Sequence, residues 1–471
     1  MLTVGTSSRR FARRDFLRIG SLGIAGCGLA ALSQADLVRA AAAASGKRSM
    51  SEIVRSRSIV FLHMSGGPSQ FESFDPKMDA PAEIRSVTGE IATRVPGLTF
   101  GPTFSKLADR ADQLTIVRSF VPGNAQHDIK PVVSAATKQT SLGAIYSRVA
   151  GSTGATTGLP TSVWANPRSV EQKSGKAEAK FGRFDDAGAL GAGYAPFVPG
   201  SGGPLQEAMR LSLPLDRLND RRSLLASLDG IKRSIDAQGS LAGMDAFQEQ
   251  AFRVILNGSA DAFDLSKEDP RSLERYDTQP LMPADRIDKK WNNYKRYVDH
   301  ARSLGKLMLL TRRLVEAGVG FVTVSTDFVW DSHADVNNAG VAENMDYAGL
   351  PFDHAVSVFL DDLEVRGLSD RVLLVCCGEI GRTPRINKRG GRDHWGNLGA
   401  LMFAGGGLPR GRVYGQSTRD GGEALSEPVT QDNVVGTIMN AAFDVGRLRL
   451  VPGMPPELLK TAELPPIPGL V

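Results

Sequence analysis

The sequence predicts an α/β protein, with a mostly parallel central sheet, helices on both of its faces and a helical insertion. Three observations predict it. Short apolar runs recur at the length of buried strands, helical patterns separate several of them, and polar clusters follow the runs instead of interrupting them. A chain of 471 residues can bury a large core, and we expect one elaborated domain over residues 46–471 rather than two.

The first strand is Ser58-Ile59-Val60-Phe61-Leu62-His63-Met64, closed by the glycine-rich turn Ser65-Gly66-Gly67-Pro68. Further strands are expected at Leu114 to Arg118, Thr161 to Ala165, Gly320 to Ser325, Arg371 to Cys377 and Leu398 to Ala404. Helical patterns cover Phe104 to Ala111, Leu142 to Ala150, Tyr297 to Ala317, Asp353 to Arg366 and Gln431 to Phe443. From about Ala177 to Gly203 the chain is rich in Gly, Ala and Pro, and it leads into a polar, helical section reaching about Tyr294. This region, about 177–294, reads as an insertion beside the sheet. Its Leu218, Leu224, Leu225 and Leu228, at near-helical spacing, suit packing against the body better than a cofactor box. The proline-rich end, residues 452–471, reads as an extended tail.

Residues 1–45 have the order of a signal segment. Arg13-Arg14-Asp15-Phe16-Leu17-Arg18 precedes a modestly apolar stretch from Ile19 to Leu32 and an alanine run from Ala40 to Ala44. Paired arginines before Phe-Leu and a glycine-rich apolar segment fit the twin-arginine export machinery better than the general secretory route. The expected location is periplasmic or extracellular, for a cargo that folds or takes its cofactor before crossing. Ile24-Ala25-Gly26-Cys27 resembles a lipobox, so a lipid anchor on Cys27 is the alternative.

Net charge is +5, but the first 45 residues carry six arginines against two aspartates, which leaves +1 for the remainder. The basic character therefore belongs to the signal, and nucleic-acid binding gains no support. Without Cys27 the adjacent Cys376 and Cys377 remain, too few for a disulfide framework and too strained to pair with each other. No later segment reaches the ~18 uninterrupted apolar residues of a membrane span.

Four clusters carry candidate chemistry, and each sits where ligands bind in open α/β sheets, beyond a strand end. The first, Gly66-Gly67-Pro68-Ser69-Gln70 with Phe74-Asp75-Pro76-Lys77, could expose Ser65 or Ser69 as a nucleophile near backbone N–H donors; a purely structural turn explains the glycines equally. In the second, Trp330-Asp331-Ser332-His333, Asp331 and His333 project to one side of an extended stretch and suit a divalent metal, or simply each other. In the third, Gly378-Glu379-Ile380-Gly381-Arg382-Thr383-Pro384, Glu379 could ligate a metal or act as general base, and Arg382 could clamp an anionic oxygen; a salt-bridged loop is the plain alternative. The fourth, Gly391-Arg392-Asp393-His394-Trp395-Gly396, sets the carboxylate of Asp393 beside the imidazole of His394. Convergence of Asp331, His333, Glu379, Asp393 and His394 within ~5 Å would mark a metal centre. His300 and His354 fall in helical patterns, His63 on the first strand is expected to be a satisfied core imidazole, and His127 in Gln126-His127-Asp128 could face the site.

These clusters, in this order and together with Arg312-Arg313-Leu314-Val315-Glu316-Ala317-Gly318, Ala404-Gly405-Gly406-Gly407-Leu408 and Val413-Tyr414-Gly415, resemble the family called domain of unknown function 1501 from about Ile59 to Asp444. That family is usually placed with the alkaline phosphatase and sulfatase superfamily. The resemblance implies an alkaline-phosphatase-like sheet, with two metals held by Asp and His around a Ser, Thr or modified Cys nucleophile. Asp331 and His333 would then correspond to the middle ligands and His394 to the late histidine. Ser65-Gly66-Gly67 stands where a metal-binding Asp is expected, Glu379 lacks the histidine that usually follows its position, and the sulfatase Cys-x-Pro-x-Arg signature is absent.

The expected function is that of an exported hydrolase of phosphate or sulfate esters, dependent on a divalent metal such as Zn, Ca or Mg and acting on an anionic small-molecule or glycan ester. The alternative, favoured by the missing Asp, is a non-catalytic protein of the same fold that binds an anionic glycan or a cell-envelope partner.

Overall fold

The computed structural model describes residues 52–171, 173–175, 179–200 and 259–471, together with two short antiparallel strands, Val4–Thr6 and Arg9–Phe11. The twin-arginine pair, Cys27, the alanine run and the four leucines of the expected insertion lie outside the described residues.

A seven-stranded sheet organises the described residues from 52 onward. Its strands are β1 (Ser58–His63), β2 (Leu114–Val117), β3 (Ser162–Ala165), β4 (Phe321–Ser325), β5 (Val372–Cys377), β6 (Leu401–Gly405) and β7 (Arg412–Tyr414), in the spatial order β7-β2-β6-β5-β1-β4-β3. β1 pairs in parallel with β4 and β5, β4 with β3, and β2 with β7, while β6 runs antiparallel to both β5 and β2. The sheet is therefore mostly parallel, as expected.

Apolar residues fill both faces because both are covered. On one side Val60, Leu62, Val322, Val324, Leu374 and Cys376 join a core with helices α2 (Tyr294–Glu316) and α3 (Leu350–Val365). On the other, Ile59, Phe61, Phe321, Leu373, Val375 and Cys377 meet α1 (Leu142–Ala150), α4 (Gln431–Ala442) and α5 (Pro456–Ala462). Strand residues alternate between these cores with the period of two that a pleated strand imposes. α1 and α4 begin on side-chain caps, Ser141 accepting from Ala144 N and Thr430 from Asn433 N.

Two expectations are corrected. Residues 452–471 are not an extended tail: α5 occupies Pro456–Ala462, and Leu458, Ala462, Ile467 and Leu470 are buried in the second core. Proline there starts a helix instead of preventing one, since its missing N–H is not needed at the first helical position. The pattern from Phe104 to Ala111 breaks into a 3₁₀ turn at Pro102–Phe104, one helical turn at Ser105–Ala108 and a second 3₁₀ turn at Ala111–Gln113. Of the region about 177–294, the described part carries short 3₁₀ turns and one α-helix, Pro270–Tyr276.

The direction of β6 matters for the site. An antiparallel neighbour needs no crossover helix, so the segment 378–400 stays at the end of the sheet where β5 stops. The same end receives the chain leaving β1, β2 and β4.

Candidate metal centre

Four loops meet at the carboxyl ends of β1, β2, β4 and β5. The first begins Ser65-Gly66-Gly67, and its glycines are required there. Gly66 and Gly67 have φ of 112° and 84°, and a Cβ on Gly66 would stand 2.6 Å from the backbone nitrogen of Asp331. The first loop thus lies directly against the third. The third loop, after β4, is anchored by Trp330, which is buried edge-on against Phe352 of α3. In the fourth, Gly381-Arg382 pairs antiparallel with His394-Trp395, which sets Arg382 opposite His394.

The ligand-capable atoms of His127, Asp331, His333 and His394 all lie within 4.8 Å of one another. Asp331 Oδ1 is the shared point, 3.0 Å from His333 Nε2, 3.4 Å from His394 Nε2 and 3.6 Å from His127 Nε2. Its other oxygen is fixed by Asn338 Nδ2 at 3.0 Å. Three of the five residues expected to converge do so: Asp331, His333 and His394. His127, carried on the loop after β2, completes the set.

Glu379 and Asp393 stand one bond behind the cluster instead of within it. Glu379 Oε1 is 2.7 Å from His127 Nδ1 and also accepts from Gly66 N, at 2.9 Å. Asp393 Oδ1 is 2.9 Å from His333 Nδ1. Burial alone would raise both carboxyls, but the neighbouring imidazoles outweigh it and hold both below their ordinary range.

An ionised carboxylate only accepts, so each claims the Nδ1 proton of its histidine. The two Nε2 atoms are then left with lone pairs aimed at a carboxylate oxygen. His127 Nε2, His394 Nε2 and Asp331 Oδ1 are buried and make no hydrogen bond. Acceptors pointing at an acceptor repel unless a cation lies between them. The electrostatics agree. Burial would lower His127 and His333, yet Asp331 and its companion carboxylates raise both, so positive charge is favoured at the convergence point. Burial would raise Asp331, but Arg382 and the three imidazoles hold it far below the usual carboxylate range. His394 is lowered, chiefly by burial. The residues fit a divalent cation: Asp331, Glu379 and Asp393 against Arg382 leave two negative charges for it to balance.

Arg382 faces the protein's own loops. It is fully buried, with Nε donating to Gly67 O at 2.8 Å, Nη2 to Gly66 O, and Nη2 standing 2.9 Å from Asp331 Oδ1. The guanidinium ties the first loop to the third through Nε and Nη2, while Nη1 donates to Arg392 O at 3.4 Å within its own loop. Ser69 is likewise turned inward. Its hydroxyl donates to Glu72, which forms a fully buried ion pair with Arg392. Ser65 is half-buried and lines a cleft beside the cluster with Trp164, Phe181, Phe328 and Glu379. Phe181 and Phe328 stack at 4.7 Å, and the His127 ring meets Phe328 edge-on at 4.7 Å.

Among solved structures, the chain is similar to the lipoteichoic acid synthase LtaP from Listeria monocytogenes, at 9% identity and a TM-score of 0.33 over 82% of this chain and 72% of that one. The PsFucS1 sulfatase from Pseudoalteromonas sp. gives 11% and 0.35 over 83% and 70%. The phosphonate monoester hydrolase of Agrobacterium radiobacter gives 10% and 0.26 over 82% and 73%. No curated protein matches. The family model described as "Protein of unknown function (DUF1501)" matches residues 56–448, and the chain belongs to that family.

Proposed function

We propose that this protein is an exported, metal-dependent hydrolase of phosphate or sulfate esters. One observation carries the reading: two histidines, their Nδ1 protons held by Glu379 and Asp393, direct Nε2 lone pairs at Asp331 Oδ1, with His394 Nε2 beside them. Carboxylate–histidine–metal relays of this kind orient the ring and raise its basicity.

Three imidazoles and one carboxylate suit zinc or a neighbouring first-row transition metal better than calcium or magnesium, which prefer all-oxygen shells. When bound, such an ion supplies Lewis acidity toward an ester oxygen or a water. The chain's own residues would hold it, exclude water through Phe181 and Phe328, and present the Ser65 hydroxyl from the cleft. Export is supported by the order of the first 45 residues. Among the described residues no helix is long and apolar enough to cross a membrane.

The alternative, a non-catalytic binder of an anionic glycan or an envelope partner, is favoured by the commitment of Arg382 to Asp331 and two carbonyls. The deciding experiment is metal analysis of the protein purified from its export compartment, beside an Asp331→Ala, His394→Ala double variant. About one transition-metal ion per chain, lost in the variant, and turnover of aryl phosphate or sulfate esters would support the hydrolase. A metal-free protein and an unchanged variant would overturn it.

A further inference from the structure

The last residue of β1 does something that its place in the core does not require. His63 is fully buried, with ring contacts to Phe61 and Phe184. Its Nε2 lies 3.3 Å from the carbonyl oxygen of Lys130. A carbonyl only accepts, so Nε2 carries the proton, and the Nδ1 lone pair faces Ser65 Oγ at 3.1 Å. Glu379 Oε2, 3.9 Å from Nε2, sits where it would stabilise a developing imidazolium.

Ser65 is held for this geometry. Its N–H donates to Thr326 Oγ1 at 3.1 Å, and its carbonyl accepts from Val329 N and Trp330 N at 3.2 and 3.1 Å. The other hydroxyls lining the cleft are committed elsewhere. Ser325 Oγ accepts from Trp164 Nε1 at 2.9 Å, and Thr326 Oγ1 serves the backbone of Ser65 and His63. Ser65 alone among them pairs with a base. Glu379 joins this pair to the metal cluster, since it also accepts from Gly66 N and His127 Nδ1.

We infer that His63 and Ser65 are a base and nucleophile for the hydrolysis proposed above, an assignment that rests on that reading. The Ser65 hydroxyl proton passes to His63 Nδ1 while Oγ forms a bond to the phosphorus or sulfur of the ester. The bond from that atom to the leaving oxygen, on the far side from Oγ, breaks, its electron pair leaves with the oxygen, and the alcohol departs with a proton taken from solvent while His63 keeps the serine proton. Water then attacks the same centre from the vacated side, losing a proton to solvent, and the bond to Oγ breaks as His63 returns its proton to Oγ, restoring the serine. The sum is ester plus water to acid plus alcohol.

The test uses a fluorophosphonate, which reacts with an activated serine by forming the Oγ–P bond and releasing fluoride and a proton. The full chain, with its metal content measured on the same sample, is exposed to the probe and mapped by peptide mass spectrometry. We expect the label on Ser65, none at that position in Ser65→Ala, and labelling at least about 100-fold slower in His63→Gln. The pH profile separates a base from a merely structural side chain. The groups facing His63 are Glu379 after β5 and Lys130 and Asp128 on the loop after β2. Labelling of the native chain should reach a plateau once His63 is neutral, and that of His63→Gln should climb about tenfold per pH unit as hydroxide replaces the imidazole.

An unlabelled Ser65 in a metal-loaded chain overturns the pair and leaves the metal reading standing. So does His63→Gln labelled at the native rate. A labelled Ser65 in a chain that binds no metal overturns the metal reading and leaves the pair. Should His63→Gln fail to fold, the native profile decides: no plateau sinks the base.

Discussion

The Nδ1 of His127 stands 2.7 Å from Oε1 of Glu379, and that one contact gives a fully buried glutamate a place in the site without making it a ligand. It fixes which ring nitrogen of His127 keeps its proton, and so which one is free for a cation.

Glu379→Gln should therefore weaken zinc binding about 10- to 100-fold while leaving about one ion per chain at saturation. Gln keeps an oxygen for Gly66 N, so the turn should survive. Competition against a chelator of known affinity measures the effect. Asp393→Asn, at the more exposed His333 relay, should fall toward the lower end of the same range. Unchanged affinity in Glu379→Gln would remove the relay from the account.

Binding a cation between repelling acceptors should also stabilise the fold. With free zinc at 100 times its dissociation constant, unfolding should cost about 2.7 kcal/mol more than in excess chelator. Asp331→Ala should abolish that difference in denaturant unfolding. A native protein equally stable with and without zinc would argue against the centre.

Arg382 gives a third expectation, opposite to that of a substrate-binding arginine. Its removal leaves Asp331 buried without its ion-pair partner and the carbonyls of Gly66 and Gly67 without their donor. We expect Arg382→Ala to lose about 3–5 kcal/mol of stability, and Arg382→Lys to recover only part of it, since one ammonium cannot reproduce the fork. A stable Arg382→Ala that has lost only ester affinity would restore the clamp.

How far the sequence carried this site depends on what each residue's neighbours reveal. β1, β4 and β5 were legible because strands buried on both faces read as continuous apolar runs, and the polar groups that follow them can only lie at the strand ends. Asp331, His333 and His394 were legible for that reason. His127 stands ten residues beyond the end of β2, in a loop without periodicity, and only the tertiary path of that loop brings it in. The Asp, Glu and Arg roles could not be told apart. Glu379, Asp393 and Arg382 differ from Asp331 in burial and partner, not in local sequence. The antiparallel direction of β6 was equally hidden, since its apolar run resembles that of a parallel neighbour.

The turn after β1 offers a sharper test than side-chain removal. Gly66 combines positive φ with a backbone approach that leaves no room for a Cβ. Gly66→Ala should cost about 1–3 kcal/mol from conformation alone. It should also displace Asp331 and so lower zinc affinity. Gly89, which has φ of 86° but open space around it, is the control: Gly89→Ala should be destabilised by φ strain with its zinc binding intact.

Asp353, near the start of α3, accepts from Lys106 N at 3.0 Å and Leu107 N at 2.8 Å, yet its burial dominates and pushes its carboxyl up to about 6 from 3.8. Because the folded chain then holds this proton more tightly than the unfolded one, the contribution is fully present below pH 3.8 and is lost as pH rises through about 6. His300 works in the other direction. Burial lowers its imidazole from 6.5 to about 4, so its contribution is present above pH 6.5 and is lost as pH falls toward 4. The two offset each other in the native profile, and a flat curve would hide both. Asp353→Asn separates them. The native chain should exceed the variant in stability by on the order of 2–3 kcal/mol more at pH 4 than at pH 7, read from urea unfolding at the two pH values. Equal differences at both would mean that Asp353 is ionised throughout, and that the amides of Lys106 and Leu107 outweigh its burial.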